Sequence, residues 1–403
     1  MEKKTKTNMR KKTLLFVIDS LSIGGGEKSL VTLLRLLDYS KYCVDLQLFS
    51  TTGPFKEFLP KEVNILPPLA YTKFLQLPLW KQIFYPRKFL SRISYSIRLR
   101  FCGNLHVDKA QAYWKSISRQ IEIYPKHYDV AIGYSQSIPT FYVSSKINAN
   151  LKFGWVNCML DLNEKQRKFQ WQYYDKINTI CLVSPSSLKL FSSIYPEFAE
   201  KMVLVKDICD ANLIREMSLL PSPKPIDHSQ LVIMTAGRLN KPQKGYDIAL
   251  ATAKELRDRN FDFHWYAVGE GPYRKEMEQY IADNNLQNCF TLLGATANPY
   301  SYMRQCDIYV QTSRHEGFGL TIAEARILNR PVVCTNFEAC SMQMIDGKNG
   351  LVTSFNPHDI ADAIIRLAED KKLYNDIQSF LASEKKGNIE EISTFYSLIS
   401  KNS

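Results

Sequence analysis

Two series of short apolar segments, each alternating with helical periodicity, occupy the two halves of the sequence. In the first half the pattern predicts strands at 13–19, 43–50 and 128–134, with a helix at 27–37. Short apolar runs bounded by charge or glycine are typical of strands buried in a parallel sheet, and their alternation with helices indicates a doubly wound sheet. Shorter strands are expected at 152–156, 179–183 and 202–205.

The second half repeats this alternation after a break. The stretch PSPKPIDHS, at 221–229, is rich in proline and polar residues, which is typical of a linker. The 403 residues also favour two domains, because single cores rarely grow beyond about 250–300 residues. The sequence therefore predicts an α/β protein with two Rossmann-like, doubly wound parallel-sheet domains that face a cleft. In the second domain, strands are predicted at 230–236, 263–268, 289–293, 308–311 and 331–334, and helices at 245–257 and 273–284.

The predicted boundaries follow this alternation. An N-terminal domain covers 1–205, a linker 206–229, a C-terminal domain 230–380, and a helical tail 381–403. Within the N-terminal domain, residues 72–101 combine aromatic and basic side chains without an acidic one, and this segment is named the basic aromatic insert.

Charge and cysteine content limit the function classes. A net charge of +12 is compatible with nucleic acid, an anionic membrane surface or anionic small substrates. The nine cysteines form no CxxC pair and no Cys/His set with zinc spacing, so we expect reduced, mostly buried thiols in a cytosolic protein. The apolar run at 14–18 is shorter than the roughly 7 to 15 residues of the apolar h-region of a signal peptide, and we expect a disordered basic tail before it.

The densest motif is SRHEGFGLTIAEA, at 313–325, between a predicted strand and a helix. Gly317 and Gly319 allow close approach of the backbone, and the following helix offers free N–H groups and a positive dipole end, so the motif predicts a pyrophosphate site. Glu316 would then reach sugar hydroxyls from the strand end, and Glu324 would face the ribose. The alternative is an ordinary strand–helix turn with two solvated glutamates.

A second motif, GRLNKPQKGYD at 237–247, follows the first strand of the second half. Arg238 and Lys244 flank the strand end, and a guanidinium fork with an ammonium suits diphosphate oxygens. Together with a helix end they predict a nucleoside diphosphate site without a metal; two surface cations in a loop are the alternative. No DxD motif stands at a plausible strand end, so we expect no essential divalent cation and no cofactor.

Two weaker glycine motifs follow other predicted strands. VGEGPYR, at 268–274, places Gly269 and Glu270 at the edge of the nucleotide, although a tight turn explains it equally well. SIGGGEKS, at 22–29, lacks the full GxGxxG spacing and a suitable acidic partner, so NAD binding is not expected. A glycine loop that touches donor phosphate or acceptor is the preferred interpretation, against a plain strand–helix turn.

Together these residues resemble the family 4 retaining glycosyltransferases of GT-B fold, which are common in bacterial capsule, exopolysaccharide and lipopolysaccharide biosynthesis. The resemblance is strongest from about 180 to 370. It implies that Glu316, Arg238 and Lys244 are catalytic, with the carboxylate on the donor sugar and the cations on the diphosphate. Further donor contacts implied or expected are Gly25, Gly26, Gly237, Gly269, Glu270, Gly317, Phe318, Gly319, Leu320 and Glu324.

The implied activity is retaining transfer from a nucleotide diphospho-sugar to a hydroxyl of a glycan, which we expect to be lipid-linked, and the missing DxD motif predicts that no metal is needed. The donor would bind the C-terminal domain and the acceptor the N-terminal one. Two other functions stay open: a nucleotide-sugar epimerase, and a non-catalytic partner subunit of another transferase.

One position departs from the family pattern. Many members carry a histidine at the end of a strand in the N-terminal domain, and here the stretch KFGWVNCMLD, at 152–161, places Asn157 there. Asn157 can hydrogen-bond a sugar hydroxyl as an acceptor-side residue, but its amide cannot act as a base. The substitution keeps the non-catalytic alternative open.

The basic aromatic insert has three interpretations: a membrane surface, a helical surface without binding function, or a nucleic-acid site. Basic residues near anionic lipid and interfacial aromatics favour peripheral attachment to the inner face of the plasma membrane. No recognisable nucleic-acid module occurs, so we expect no nucleic-acid partner. Its basic residues are Lys73, Lys81, Arg87, Lys88, Arg92, Arg98 and Arg100, and its aromatic residues are Phe74, Trp80, Phe84, Tyr85, Phe89, Tyr95 and Phe101.

Overall fold

A computed structural model describes residues 10–102, 106–157 and 162–400. The expected N-terminal tail, up to residue 9, and Cys158 lie outside the described residues. The chain forms two compact α/β units, each with one parallel sheet. Within the described residues, none of the helices has the length and hydropathy that a bilayer crossing requires.

The first unit contains Met1–Ser22, Gly26–Val205 and Ile392–Ser403. Its seven strands are all parallel, in the order β3-β2-β1-β4-β5-β6-β7. The elements are β1 Lys12–Ile18, α1 Gly25–Leu36, β2 Tyr42–Leu48, β3 Val63–Ile65, α2 Ala70–Gln76, α3 Leu79–Gln82, α4 Pro86–Phe101, α5 His106–Ile117, β4 Tyr124–Gly133, α6 Ile138–Lys146, β5 Ile147–Val156, α7 Glu164–Tyr174, β6 Thr179–Leu182, α8 Pro185–Ile194 and β7 Met202–Leu204, with 3₁₀ helices at Pro54–Phe58, Ser118–Gln120 and Pro196–Lys201.

The second unit contains Lys206–Glu391 and Ile23–Gly25. Its six strands are also parallel, in the order β10-β9-β8-β11-β12-β13, which is the Rossmann order counted from β8. The elements are α9 Ala211–Ser218, β8 Leu231–Ala236, α10 Lys241–Lys244, α11 Tyr246–Asp258, β9 Phe263–Val268, α12 Arg274–Asp283, β10 Phe290–Gly294, α13 Tyr300–Met303, β11 Ile308–Gln311, α14 Leu320–Ile327, β12 Val332–Thr335, β13 Gly350–Thr353, α15 Pro357–Glu369 and α16 Lys371–Ser383, with 3₁₀ helices at Glu338–Met342 and Ile389–Glu391.

The central strands are buried along consecutive residues, as parallel strands covered by helices on both faces must be. In β1 the five residues from Leu14 to Ile18 are all buried, and in β11 all four are. Large aromatic side chains fill the core beside each sheet, with Trp114 and Phe141 in the first unit and Trp265 and Phe290 in the second. The prediction of two doubly wound parallel sheets is confirmed.

The segment expected to be a linker, 206–229, contains a helix, α9. Asp210 caps α9 by accepting hydrogen bonds from the N–H groups of Asn212 and Leu213 at 3.0 and 3.2 Å. Ile214 and Met217 on its apolar face are buried in the second unit. The second unit therefore starts at Lys206 and not at residue 230. The short amphipathic pattern of α9 was not recognised because a proline-rich stretch follows it directly.

The expected C-terminal tail likewise differs from the structure. Its last helix, α17 Ile392–Ser400, packs in the first unit, where the Phe395 ring lies 6.0 Å from that of Phe16. Tyr396 stacks on Tyr42 at 5.8 Å and donates a hydrogen bond to the carbonyl of Leu36 at 3.1 Å. The C-terminal residues therefore do not form a free helical tail. Burial of the apolar face of α17 stabilises its position in the first unit.

Candidate functional site

The predicted motifs of the second half meet at one edge of the second sheet. Strands β8 and β11 are neighbours, while the strands that follow each in sequence, β9 and β12, lie on opposite sides of them. Such a reversal opens a crevice at the carboxyl ends of parallel strands, where α/β proteins bind ligands. Arg238 follows β8 here, Gly269 follows β9, and Glu316 follows β11.

An ion pair joins two of the predicted catalytic residues across this edge. The ammonium Nζ of Lys244 lies 2.7 Å from Oε1 and 2.9 Å from Oε2 of Glu316. The two side chains are 18% and 9% exposed, so water screens the pair only weakly. Lys244 ends α10, and Gly245 follows in the left-handed conformation with φ 63°, where a Cβ would lie 2.0 Å from the Thr312 carbonyl oxygen. A glycine is therefore required to place Lys244 here.

Two neutral donors hold the Glu316 carboxylate in place. Gln311 Nε2 and Ser313 Oγ donate to its Oε1 at 2.7 and 2.6 Å. The Gln311 amide oxygen in turn accepts from Tyr309 and Thr321 hydroxyls at 2.8 and 3.1 Å. Oε2 receives only the Lys244 bond among these contacts, so it keeps acceptor capacity for a ligand hydroxyl. That Gln311 and Ser313 bind the Glu316 carboxylate was not predicted from the sequence. The polar residue at the end of an otherwise apolar strand was the signal that could have indicated it.

The N-terminus of α14 opens at the same edge. Gly319 is its N-cap, in the left-handed conformation with φ 83° and without a side-chain cap. The N–H groups of Leu320 and Thr321 belong to the first turn and have no acceptor within the helix. Phe318 is buried just before, and its carbonyl accepts from Gln343 at 3.4 Å. With Gly317 the turn leaves N–H groups and the positive dipole end for an anion.

Glu324 lies further inside the second unit. It is the fifth residue of α14 and only 1% exposed, and Tyr300 donates a hydrogen bond to its Oε1 at 3.2 Å. Burial and the adjacent carboxylate raise the pKa of the Tyr300 phenol well above its usual value. The contact to Tyr300 was not predicted, because sequence spacing does not show which side chain faces a helix.

Arg238 is the exposed cation of the site. Among the described residues its side chain takes part in no hydrogen bond or ion pair. Arg314, in the neighbouring loop, instead forms a bidentate pair with Asp247, at 2.8 Å for both bonds. Arg238 therefore keeps its guanidinium donors for a ligand, whereas Arg314 fixes the loop after β11 to the start of α11.

The weaker glycine motif after β9 has a steric reason. Gly269 has φ 155°, and a Cβ there would lie 1.9 Å from the carbonyl oxygen of Gly237. This close contact joins the ends of β8 and β9. Glu270, predicted at the nucleotide edge, pairs with Arg274 at the start of α12 and is half exposed. In the structure, the Glu270 carboxylate therefore already has a nearby partner, Arg274.

In the first unit, Gly26 of the glycine loop and Asn157 lie side by side. Gly25 and Gly26 begin α1, and Asn157 follows β5. A Cβ on Gly26 would come within 3.0 Å of the Asn157 amide nitrogen, which donates to the Tyr134 carbonyl at 3.0 Å. The Asn157 amide oxygen is buried and accepts no hydrogen bond within the described part of the chain. Gly26 and Asn157 therefore both lie at the carboxyl edge of the first sheet.

Comparison with known proteins agrees with this architecture. Residues 230–370 match the family model described as "Glycosyl transferases group 1". An uncharacterized glycosyltransferase of Methanocaldococcus jannaschii is 34% identical over 33% of this chain and 37% of its own. The poly(ribitol-phosphate) alpha-N-acetylglucosaminyltransferase of Staphylococcus aureus is 32% identical over 38% of this chain and 31% of its own. The match thus spans about a third of the length of these two relatives.

A longer match reaches the N-terminal half. The Campylobacter jejuni N-acetylgalactosamine-N,N'-diacetylbacillosaminyl-diphospho-undecaprenol 4-alpha-N-acetylgalactosaminyltransferase is 24% identical over 88% of this chain and 90% of its own. Among solved structures, Anabaena HepE in complex with UDP and glucose covers 97% of this chain and 100% of its own, with a TM-score of 0.68 and 17% identity. WaaG, a glycosyltransferase of lipopolysaccharide biosynthesis, covers 96% and 99%, with a TM-score of 0.62 and 12% identity. The chain thus has the GT-B fold, and its residues 230–370 match a glycosyl transferases group 1 domain.

Proposed function

We propose that this protein transfers a sugar, with retention and without a metal, from a nucleotide diphospho-sugar to a hydroxyl of a lipid-linked glycan in surface polysaccharide biosynthesis. The observation that carries the proposal is the partly buried Lys244–Glu316 pair beside the open N-terminus of α14. It combines a cation, backbone N–H groups and a fixed carboxylate at the ligand-binding edge of a Rossmann sheet. The Campylobacter relative is named for a diphospho-undecaprenol acceptor, which supports the same acceptor class here.

The cationic groups and the carboxylate of the site would bind different parts of the donor. Arg238, Lys244 and the first N–H groups of α14 would bind the diphosphate and stabilise the negative charge that grows as it leaves. Glu316 Oε2 would accept a hydrogen bond from a hydroxyl of the donor sugar, because Oε1 is already held by Gln311 and Ser313. The anomeric centre becomes oxocarbenium-like, as in glycoside cleavage.

Retention would follow from attack on the face that the diphosphate leaves. The acceptor oxygen forms the new bond to the anomeric carbon as the bond to the phosphate oxygen breaks, and the leaving phosphate takes the hydroxyl proton. Asn157 cannot take that proton, but an amide can hydrogen-bond a hydroxyl of a bound sugar. The acceptor would therefore bind the first unit.

Two steps test the activity. A thermal-shift panel of nucleotide diphospho-sugars identifies the donor, since a bound ligand stabilises the folded state in proportion to occupancy. Product formation on diphospho-undecaprenol-linked sugars is then measured for Lys244→Ala and Glu316→Ala, with Lys254→Ala as the matched control in the same unit. Lys254 is exposed and paired with Asp258, so its loss should leave turnover unchanged. Near-normal turnover in Lys244→Ala or Glu316→Ala would contradict the assignment.

The same assays separate the other functions. An epimerase would convert the donor when no acceptor is present, and product analysis of the donor alone detects this. A non-catalytic partner subunit would bind the donor through Arg238 and Lys244 and show no turnover by itself.

We also propose peripheral attachment to the cytoplasmic face of the plasma membrane through the basic aromatic insert. Helices α3 and α4 and the turn between them expose large apolar side chains, with Trp80 at 63%, Phe84 at 73% and Phe101 at 86% exposure. Lys81 lies over the Trp80 ring at 5.0 Å, so charge and aromatic surface occur together. Each basic residue near anionic lipid contributes about 1 kcal/mol, and interfacial aromatics add apolar burial.

Vesicle sedimentation checks the attachment. Vesicles of phosphatidylglycerol and phosphatidylcholine should bind the protein, pure phosphatidylcholine should bind it weakly, and Trp80→Ser with Phe84→Ser should reduce binding. Trp171→Ser is the control, since that tryptophan is also exposed, at 40%, but lies outside the insert. Equal binding of all variants would remove the proposal, and steeply salt-dependent DNA binding in its place would favour a nucleic-acid site.

A further inference from the structure

We propose that the second unit carries an additional anion site, remote in sequence from the motifs after β8 and β9, which binds a phosphate group through three arginines. The site is a cavity of about 290 Å³ at the C-terminal ends of α9, α13 and α14. Its lining residues are Arg215, Ser218, Leu219, Arg304, Ile327, Leu328, Asn329 and Arg330.

The charge of the lining is one-sided. Arg215, Arg304 and Arg330 contribute three guanidinium groups, and no Asp or Glu lines the cavity. Like charges that converge without a counter-ion repel each other, and a bound anion relieves that repulsion. Arginine also matches phosphate geometry, because its planar fork can donate two parallel hydrogen bonds.

The arginines are held to different degrees. Arg330 donates to the carbonyls of Leu328 and Cys306 at 3.1 and 2.8 Å, which fixes its guanidinium beside the cavity. Arg215 and Arg304 are exposed, and among the described residues their side chains form no hydrogen bond or ion pair. The site therefore offers one fixed guanidinium group and two guanidinium groups that are available to bind the same anion.

A purely structural role accounts for only one of the three arginines, Arg330. Arginines often bind the carbonyls at helix C-termini, which carry partial negative charge. Arg330 does this, but Arg215 and Arg304 donate to no carbonyl of the described chain. The opposing helix ends lower the affinity for an anion, so we expect binding weaker than that of a nucleoside diphosphate at the donor site.

Beside the arginines, the lining combines the polar Ser218 and Asn329 with three apolar side chains. Ile327 and Leu328 are 3% and 8% exposed, and Leu219 stands at the rim with 67% exposure. The volume is several times the roughly 30 Å³ that one water occupies in the liquid, which is sufficient for a phosphate with a short substituent. The lining therefore fits both free phosphate and a phosphate monoester with an apolar group.

Calorimetric titration of the full chain with inorganic phosphate tests this site. Arg304→Gln and Arg215→Gln should each weaken binding about tenfold, as expected when a charge-assisted hydrogen bond is lost. Arg366→Gln is the matched control, because Arg366 is an exposed arginine of the same unit outside the cavity, and it should bind as the unchanged chain does. Circular dichroism and the unfolding midpoint confirm that each variant is folded.

One further variant separates this site from the donor site, and one further ligand identifies the anion. Lys244→Ala should keep phosphate binding at the arginine cavity, and the proposal does not depend on the proposed transferase activity. Hexyl phosphate that binds more tightly than inorganic phosphate would assign the site to a monoester, and equal binding would assign it to free phosphate. The proposal is overturned if the Arg215 and Arg304 variants bind as the unchanged chain does, or if Lys244→Ala alone abolishes binding.

Discussion

The Lys244–Glu316 pair gives the sharpest prediction for stability. We compare Lys244→Met, Glu316→Gln and the double variant with the unchanged chain, in the absence of any nucleotide. Lys244 donates to both carboxylate oxygens at 2.7 and 2.9 Å, and the two side chains are 18% and 9% exposed. A charge-assisted hydrogen bond in such surroundings contributes about 1.5–3 kcal/mol.

The expected coupling energy is about 2 kcal/mol. It stays below the roughly 3–5 kcal/mol of a buried charge left entirely alone, because Gln311 and Ser313 still donate to Glu316 when the lysine is gone. Urea unfolding followed by circular dichroism measures the free energy of unfolding of all four proteins. The same cycle on Lys254–Asp258, an exposed pair with 41% and 43% exposure, should give about 0.3–0.5 kcal/mol. A Lys244–Glu316 coupling no larger than that control would refute the reasoning.

Three further predictions concern backbone geometry, pH and metals. Gly269→Ala should lower the free energy of unfolding by about 2 kcal/mol or more, because its Cβ would meet the Gly237 carbonyl at 1.9 Å; unchanged urea stability would contradict this. Burial raises the pKa of Asp19 to about 7, against a hydrogen bond from Ser135 and with a smaller contribution from Glu27. The folded state then binds more protons than the unfolded state between about pH 4 and 7, so this contribution to stability should fall as the pH rises through that window, and Asp19→Asn should remove the slope. Turnover should persist in EDTA, and a strict Mg²⁺ or Mn²⁺ requirement would contradict the proposed metal-independent reaction.

Local pattern was sufficient to predict most of the two sheets. The predicted strands at 263–268 and 308–311 coincide with β9 and β11, because buried parallel strands have uninterrupted apolar runs. The motifs after such runs predicted Glu316 at the end of one strand and Arg238 and Lys244 on either side of the end of another. Two short strands, β3 and β13, were missed; with three and four residues each, they are too brief for a pattern to stand out.

Contacts between segments that are distant along the chain could not be predicted from the sequence. The polar support of Glu316 by Gln311 and the contact of Tyr300 with Glu324 depend on which side chains face each other after folding. The return of α17 to the first unit is also a packing effect, since helical periodicity shows an apolar face but not the surface that covers it.

The central claim is that the second unit binds a diphosphate at the edge formed by β8, β11 and α14. A crystal structure of the chain soaked with UDP tests this most directly. We expect the diphosphate oxygens within hydrogen-bond distance of Lys244 Nζ, the Arg238 guanidinium and the N–H groups at Gly319 and Leu320. Electron density for the nucleotide at any other place, with those groups unoccupied, would contradict the account.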